Sequence, residues 1–241
     1  MDLLEQRILG EDIDRHWYYV SKRRALLAMI GDAAPRRILD IGAGSGFFSR
    51  ALLRDTRARE AVCVDPNYPA EHDETEAGKP IAFRRAAPPG EADLMLLMDV
   101  LEHVDDDVGL LRSYVGDATS GTRVLITVPA FRFLWSGHDV FLGHRRRYTV
   151  AAIEDVARRA GLSVERGCYF FAAIFPIAAA LRLPAAIRHA VTGAQPGPRS
   201  EMRRHGAVGN AILGSLSTAE LPVFRRNRLF GLTAFVLARV P

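Results

Sequence analysis

Short apolar runs alternate with segments of helical periodicity along most of the chain. Apolar side chains recur every three or four positions in four segments, which predicts helices over 13–30, 47–54, 106–118 and 149–160. Between them lie apolar runs that predict strands at 37–41, 61–65, 81–85, 93–99, 123–128, 162–171 and 231–240. Because these runs are mostly continuous rather than alternating, they predict a parallel sheet with helices on both faces.

The remaining stretches define the organisation of the chain. Residues 68–80 are polar and show no period, which predicts an irregular connection. The most loop-like stretch is 192–204, where glycine and proline cluster. The sequence contains no internal repeat and no change in composition that would mark a boundary between two domains. We therefore expect a single domain over 1–241, with 172–228 as a helical insertion before the last strand.

The composition is that of a globular chain that needs no covalent cross-link. The 241 residues are 49% hydrophobic and 25% charged, which excludes a disordered or low-complexity protein. Cys63 and Cys168 lie inside apolar runs and in no CxxC spacing, so we expect buried thiols rather than a disulfide or a cysteine zinc site. The first residues are acidic, and no apolar run reaches about 18 residues. These features predict a cytoplasmic protein.

Charge is distributed unevenly. The net charge is +4, but residues 182–241 carry nine arginines against two glutamates, which is +7 and leaves −3 for the rest. Large apolar side chains are frequent over 169–187 in the same region. We expect 172–228 to form a lid over an acceptor. One alternative is peripheral contact of 169–205 with a membrane surface, and another is plain packing onto the sheet.

The most specific motif is a glycine-rich turn between the first predicted strand and the following helix. Gly42, Gly44 and Gly46 let the backbone approach a ligand closely. Asp65 ends the next strand nineteen residues after Gly46, where a carboxylate can accept hydrogen bonds from both hydroxyls of a ribose. Asp40 precedes the glycines and would repel a pyrophosphate. The pattern D-x-G-x-G-x-G therefore favours S-adenosylmethionine, which carries an ammonium and a sulfonium, over a dinucleotide.

Three stretches resemble the first, second and fourth motifs of class I S-adenosylmethionine-dependent methyltransferases: LDIGAGSGFFSRAL, AVCVDPN and DLMLLMDVLEHVDDD. Two further features resemble a narrower bacterial group, namely the leader RHWYY with Arg23 and Arg24, and the segments LWSGHD and GHRRRYT. The resemblance covers about residues 10–170 and the last strand. It implies a Rossmann-like sheet of seven strands, the last antiparallel, and cofactor contacts from Asp40, Gly42, Gly44, Gly46, Asp65, Asp99 and Tyr19.

The resemblance implies methyl transfer to a small-molecule, sugar or lipid-linked acceptor at oxygen, with nitrogen as the alternative atom. A non-catalytic S-adenosylmethionine-binding module or a membrane-associated module is the alternative from another class. Such enzymes often carry an acid near the adenine after the third strand, but Arg84-Arg85-Ala86-Ala87 stands here, so no adenine contact is assigned. The (N/D)PP(Y/F) element of DNA amino-methyltransferases is absent, so no nucleic-acid acceptor is expected.

The segment 99–103, with the sequence DVLEH, follows a predicted strand and is expected to face the transfer site. In the simplest interpretation Asp99 lines the methionine end of the cofactor and no metal is bound. Alternatively, D-x-x-E-H resembles the metal-binding segment of ubiquinone-pathway O-methyltransferases, where a divalent ion polarises a hydroxyl. That resemblance implies ligands among Asp99, Glu102, His103 and His144, or His138. The plainest interpretation is that Glu102 and His103 cap and pack the next helix.

Two later histidines follow the fifth predicted strand. His138 and His144 are candidate general bases, with Asp99 completing the catalytic set, because an imidazole titrates near neutrality. A hydrogen-bonded loop residue is the alternative for each histidine. Acceptor contacts are expected from Trp135, Arg146, Arg147 and Tyr148, although an arginine run is usually a solvated face. A lid over the cofactor, or ordinary helix packing, is expected of Trp17, Tyr18 and Tyr19.

Overall fold

The computed structural model describes residues 8–31, 35–87, 91–193, 196–201 and 206–241. Within them the strands are β1 (Arg37–Ile41), β2 (Glu60–Val64), β3 (His72–Glu76), β4 (Lys79–Arg84), β5 (Leu94–Met98), β6 (Arg123–Pro129), β7 (Ser163–Phe170) and β8 (Thr233–Arg239). The helices are α1 (Trp17–Ile30), α2 (Phe47–Asp55), α3 (Asp107–Val115), α4 (Gly137–Leu142), α5 (Val150–Arg159), α6 (Phe175–Thr192), α7 (Ala207–Ala219) and α8 (Leu221–Phe224). Short 3-10 helices lie at Gly10–Arg15, Leu101–His103 and Arg132–Leu134.

All of these strands form one sheet in the order β3-β4-β2-β1-β5-β6-β8-β7. β1 lies parallel between β2 and β5, and β4 and β6 extend the parallel part on either side. β8 is antiparallel to both β6 and β7. The predicted Rossmann-like, mostly parallel sheet with an antiparallel last strand is therefore confirmed. The strand order reverses between β1 and β5, which is where open α/β sheets bind ligands.

The sheet differs from the prediction in one strand. Seven strands were expected and residues 68–80 were expected to be irregular, but the described residues form eight strands because His72–Glu76 pairs with β4. The hairpin turns through Ala77 and Gly78, which both have positive φ, as a tight two-residue turn requires. β3 lies at the edge of the sheet and is mostly exposed, so its polar side chains carry no period that would reveal a strand.

Two clusters of buried apolar side chains cover opposite faces of the sheet. Alternate residues of β5 enter different clusters, since Leu96 belongs to one and Leu97 to the other. The first cluster includes α1 and α2, and the second includes α3 and α5. Cys63 and Cys168 are both free and buried in the first cluster, as predicted. The two layers of helices therefore sandwich the sheet.

The helices α6, α7 and α8 lie between β7 and β8. α7 packs along α1, so this part of the chain forms an outer layer on the first face of the sheet. Phe175, at the start of α6, contacts the rings of Phe131 and Phe230. Among the helices of the described residues, none has both the length and the apolar character needed to cross a bilayer.

Candidate functional site

The carboxyl ends of β1, β2 and β5 meet at one edge of the sheet because these strands are adjacent and parallel. Gly42, Asp65 and Asp99 directly follow these three strands. Three of the four described non-glycine residues with positive φ lie at the same edge, namely Asp99 at 57°, Phe131 at 57° and Phe171 at 63°. Backbone strain that collects beside strand ends is typical of a ligand site.

The glycine turn leaves no room for side chains at two of its positions. Gly42, Gly44 and Gly46 have φ values of 66°, 55° and 70°, in the left-handed region that favours glycine. A Cβ at Gly42 would lie 2.7 Å from a methyl carbon of Val100, and one at Gly46 would lie 3.0 Å from the ring of Phe83. This turn, which we call the glycine cradle, therefore requires glycine at both positions because Val100 and Phe83 lie so close, and it leads into α2 as the sequence predicted.

Asp65 is buried beside this cradle. One carboxylate oxygen accepts a hydrogen bond from the backbone N–H of Gly44 at 3.3 Å, and the other accepts from the backbone N–H of Asn67 at 2.9 Å. The hydroxyl of Tyr68 donates to the carbonyl of Gly44 at 2.7 Å. Sequence reasoning missed Tyr68. The available signal was an aromatic residue three positions after the strand-end acid.

Asp40 lies behind the cradle and is 1% exposed. Ser49 of α2 donates a hydrogen bond to one of its oxygens at 2.8 Å, which fixes the start of that helix against β1. The other oxygen has no hydrogen-bond partner among the described residues. Burial raises the pKa of Asp40 to about 6. The sequence predicted a contact with the cofactor, and the structure adds a role in bracing α2.

Asp99 forms an ion pair with Lys22, a fully buried residue of α1 that sequence reasoning missed. Thr127 of β6 donates a second hydrogen bond to Asp99 at 3.0 Å. Burial alone would raise the pKa of Asp99, but the charge and hydrogen bond of Lys22 hold it below its ordinary value. The available signal was spacing, since Lys22 stands three residues after buried Tyr19 and four before buried Leu26.

The first turn of α1 places aromatic rings beside this edge of the sheet. Tyr18 stacks on Phe171 with ring centroids 5.2 Å apart, and its hydroxyl accepts a hydrogen bond from Lys22 at 3.3 Å. Tyr19 is 1% exposed and packs edge-on against Phe47, which directly follows the glycine turn. Trp17 also meets Phe171 edge-on. The alternative of helix packing is thus confirmed for this aromatic cluster, and a lid over the cofactor stays a prediction.

The GHRRRYT segment binds the segment that follows β5. Arg145 donates to the carbonyl of His103 at 2.8 Å, and Arg146 donates to the carbonyl of Asp105 at 2.8 Å. The buried hydroxyl of Tyr148 donates to Asp107 at 2.7 Å. The structure therefore places two residues predicted to bind the acceptor, Arg146 and Tyr148, in contact with the protein's own backbone and side chains.

Asp139 is the centre of a buried network of hydrogen bonds. Its carboxylate accepts hydrogen bonds from His144 Nδ1 at 2.9 Å, from Arg147 at 2.7 and 3.0 Å, and from the backbone N–H of Ser136 at 2.8 Å. Asp139 is 0% exposed. Burial would raise the pKa of Asp139, but the hydrogen bonds from His144 and Arg147 hold it well below its usual range. The third arginine of the run, Arg147, is thereby held by a buried carboxylate.

Glu102, His103 and His144 converge at the same edge. One ligand atom from each lies within 4.8 Å of the others. Glu102 is 0% exposed, and neither of its carboxylate oxygens has a hydrogen-bond partner among the described residues. Burial, and to a lesser extent the charge of Asp99, raises the pKa of Glu102 well above its ordinary value. Of the four residues predicted as alternative metal ligands, Glu102, His103 and His144 therefore lie close together. The fourth, Asp99, forms its ion pair with Lys22 instead.

Two other predicted residues lie apart from that group. His138 Nδ1 accepts a hydrogen bond from the backbone N–H of Glu201 at 3.2 Å. The backbone N–H of Arg199 donates to the carbonyl of Gly137 at 2.9 Å, so the stretch 196–201 is attached to the start of α4. Trp135 is half-buried, and its Nε1 has no hydrogen-bond partner among the described residues. His138 does not join the group of Glu102, His103 and His144.

A family model described as a methyltransferase domain matches residues 13–166 of the chain. That range contains the glycine cradle, Asp65, Asp99, the group of Glu102, His103 and His144, and the buried network around Asp139. No curated protein matches the chain. The family match therefore identifies a methyltransferase domain but does not identify the acceptor.

Solved structures of the same fold include a chain of the complex between the Haloferax volcanii Trm112 methyltransferase activator and a putative methyltransferase. It is 17% identical with a TM-score of 0.59, and the alignment covers 99% of this chain and 94% of that one. An S-adenosylmethionine-dependent methyltransferase from Mesorhizobium loti is 16% identical with a TM-score of 0.55, and the alignment covers 94% of this chain and 99% of that one. The cyclase SpnF is 15% identical with a TM-score of 0.54, over 93% and 82%. These likenesses show the shared fold.

We expect Arg147→Met to destabilise the protein by about 3–5 kcal/mol, because it leaves the buried carboxylate of Asp139 without its strongest cation. Denaturant unfolding at neutral pH measures the change. The matched control is Arg159→Met, which breaks an exposed pair with Asp155 and should change stability by less than about 1 kcal/mol.

The Arg147→Met variant should also change how the stability of the protein depends on pH. Because the pKa of Asp139 is depressed in the folded state, its contribution is present above about pH 4 and is lost as the pH falls. The natural chain should therefore lose stability more steeply on acidification than Arg147→Met. Equal acid slopes in the two proteins would contradict this account of Asp139.

Proposed function

The chain belongs to the S-adenosylmethionine-dependent methyltransferases of the matched family, and from this premise we propose that it methylates a hydroxyl oxygen of a small-molecule, sugar or lipid-linked acceptor. The observation that carries the proposal is the pairing of His144 with buried Asp139 beside the edge of the sheet where the cofactor cradle lies. A hydroxyl needs a base when it attacks a methyl group, and this pair can supply one.

The residues at the cradle fit the cofactor. S-adenosylmethionine supplies a methyl group that its sulfonium already activates for displacement. The glycine turn lies where the strand order reverses, the place at which open α/β sheets bind ligands, and the carboxylate of Asp65 beside it can accept hydrogen bonds from ribose hydroxyls. Asp99, kept ionised by Lys22, offers a negative charge to the cationic end of the cofactor.

His144 is the proposed general base. Its Nδ1 bonds the carboxylate of Asp139, which favours the tautomer with the proton on Nδ1 and leaves Nε2 with a lone pair. Nε2 then accepts the proton of the acceptor hydroxyl while the oxygen bonds the methyl carbon and the carbon–sulfur bond breaks. Asp139 and Arg147 act as positioning residues in this scheme, because both are buried and hydrogen-bonded to each other.

The acceptor contacts predicted from the sequence need to be redistributed. The side chains of three of these residues donate hydrogen bonds within the protein, namely Arg146, Arg147 and Tyr148. We therefore propose that they hold His144 and the segment after β5 in place. Trp135 keeps an indole N–H with no described partner and is the better candidate for an acceptor contact. His138 remains the alternative base, nitrogen the alternative acceptor atom, and non-catalytic S-adenosylmethionine binding the alternative role.

Metal-assisted methyl transfer is a second candidate, favoured by the unpartnered carboxylate of Glu102. Its oxygens, His103 and His144 could hold a divalent cation, which would polarise a bound hydroxyl and lower its pKa. His144 would then serve as a ligand rather than as the base. The two candidates therefore make different predictions about chelation.

Asp65→Ala should weaken binding of S-adenosylhomocysteine about 100-fold, since charge-assisted hydrogen bonds to the ribose are worth about 1.5–3 kcal/mol each. Calorimetric titration measures the change, and thermal melting checks that the variant is folded. The control is Asp73→Ala on the exposed edge strand β3, which should bind normally. Unchanged affinity in Asp65→Ala would show that the ribose lies elsewhere.

His144→Gln should lower kcat about 100-fold or more while leaving the affinity for S-adenosylhomocysteine unchanged. The assay is methyl transfer from S-adenosylmethionine to a panel of hydroxyl and amine acceptors. His72→Gln, on β3, is the matched control and should retain full activity. Full activity of His144→Gln together with a low kcat in His138→Gln would move the base to His138.

Titration with magnesium or zinc chloride tests the second candidate directly. If a metal acts, the natural chain should bind the ion, Glu102→Gln should bind it at least about tenfold more weakly, and EDTA should abolish activity. Glu60→Gln, at an exposed ion pair, is the control and should bind like the natural chain. Activity that resists EDTA, with no ion bound, would leave the metal-free base as the mechanism.

A further inference from the structure

Large apolar side chains that are exposed to solvent are concentrated in one part of the chain. Of those in the described residues, all but Phe133 lie between Ile177 and Phe230, on α6, α7, α8 and the residues that follow. The sequence predicted membrane contact through 169–205, but Phe170 and Phe171 are fully buried and belong to the core. The exposed apolar surface therefore begins after them. Grouped exposure of this kind marks an interaction surface.

The outer face of α7 carries a continuous apolar stripe. Val208, Ile212 and Leu216 recur every fourth residue and are 74%, 56% and 39% exposed. The opposite face of the helix buries Ser217 and packs Leu213 into the core beside α1. The stripe is therefore the side of α7 that faces away from the protein.

A groove with two arginines runs beside this stripe, between α1 and α7. It has a volume of about 600 Å³, and Arg15, Arg24, Ser215 and Thr218 are among the residues that line it. Arg24 donates to the hydroxyl of Thr218 at 2.6 Å. Neither arginine forms an ion pair with a carboxylate of the described residues, and both are exposed. The groove thus offers two arginines that form no ion pair among the described residues, and a hydroxyl, next to an apolar strip.

The charge of the surrounding segment has the same sign. Residues 172–228 carry eight arginines against two glutamates, a net charge of +6. Arg188, Arg225 and Arg226 are exposed and form no ion pair with a described carboxylate. Apolar side chains interspersed with arginines are the pattern of helices that lie at a lipid interface. Two copies of so basic a surface would repel each other, which disfavours self-association.

We propose that this surface docks on an anionic phospholipid bilayer. The stripe of Val208, Ile212 and Leu216 enters the interface between headgroups and acyl chains, and Arg15 and Arg24 bind a lipid phosphate in the groove. The proposal does not depend on which acceptor is methylated, and its test needs no acceptor.

Flotation of the full chain with vesicles tests the proposal. Vesicles of phosphatidylcholine mixed with phosphatidylglycerol should carry the protein, vesicles of phosphatidylcholine alone should carry little, and added salt should weaken the binding. The double variant Ile212→Glu with Leu216→Glu should bind the anionic vesicles about tenfold more weakly or worse. The matched control is Ala151→Glu on α5, an exposed position on the other face of the sheet, which should bind almost normally.

The arginines are tested separately. Arg15→Gln with Arg24→Gln should weaken binding to the anionic vesicles about 30-fold, because each arginine near such a surface contributes about a fivefold factor or more. Arg57→Gln with Arg59→Gln removes two other exposed arginines and should have a much smaller effect. Normal affinity for S-adenosylhomocysteine in each variant confirms that the fold and the cofactor cradle are intact.

Three outcomes would overturn the proposal. The first is a natural chain that does not float with anionic vesicles. The second is binding by Ile212→Glu with Leu216→Glu that equals binding by Ala151→Glu. The third is a dimer, seen by light scattering, that this double variant dissociates while vesicles remain unbound, because the stripe would then be the contact between two copies.

Discussion

The parallel pairing of β1 with β2 on one side and β5 on the other is the constraint on which the site depends. Parallel neighbours end at the same edge of a sheet, so three turns that are far apart in sequence open side by side. The glycine cradle, Asp65 and Asp99 owe their proximity to this register alone. Strain at Asp99, Phe131 and Phe171 collects at the same edge, where the packed sheet beneath can hold unfavourable backbone angles in place.

Buried charge then gives the edge its chemistry. Asp99 is held ionised by Lys22 from α1, whereas Asp139 is held ionised by Arg147 and His144 from the loop before α5. Glu102 lies between these pairs without a described hydrogen-bond partner, and burial raises its pKa. Glu102 and Asp139 are buried and Asp99 is half-buried, and the three carboxyl groups thus have three different environments within one small region.

The segment between β7 and β8 has a different character from the rest of the chain. α7 contributes one face to the layer over α1 and keeps its apolar stripe on the outside, beside a groove with two exposed arginines. The edge of the sheet at the glycine cradle and this outer surface are connected through α1, whose first turn contacts Phe171 and lines the groove through Trp17. A single helix therefore links the edge of the sheet at the glycine cradle to the proposed attachment surface.

The sequence by itself determined the parallel core of the sheet and the glycine turn that follows its first strand. Continuous apolar runs, the glycine spacing and the acid at the end of the second strand are local patterns that depend only on near neighbours in the chain, so they predicted the fold class, the strand that ends before Asp65 and the turn between β1 and α2. Only the tertiary structure decided which side chains face each other. Lys22 meets Asp99 from 77 residues away, and Arg146 turns to the segment after β5 rather than to solvent. The exposed edge strand β3 and the roles of the GHRRRYT residues escaped prediction for the same reason: pairing and burial depend on distant partners, and no local period records them.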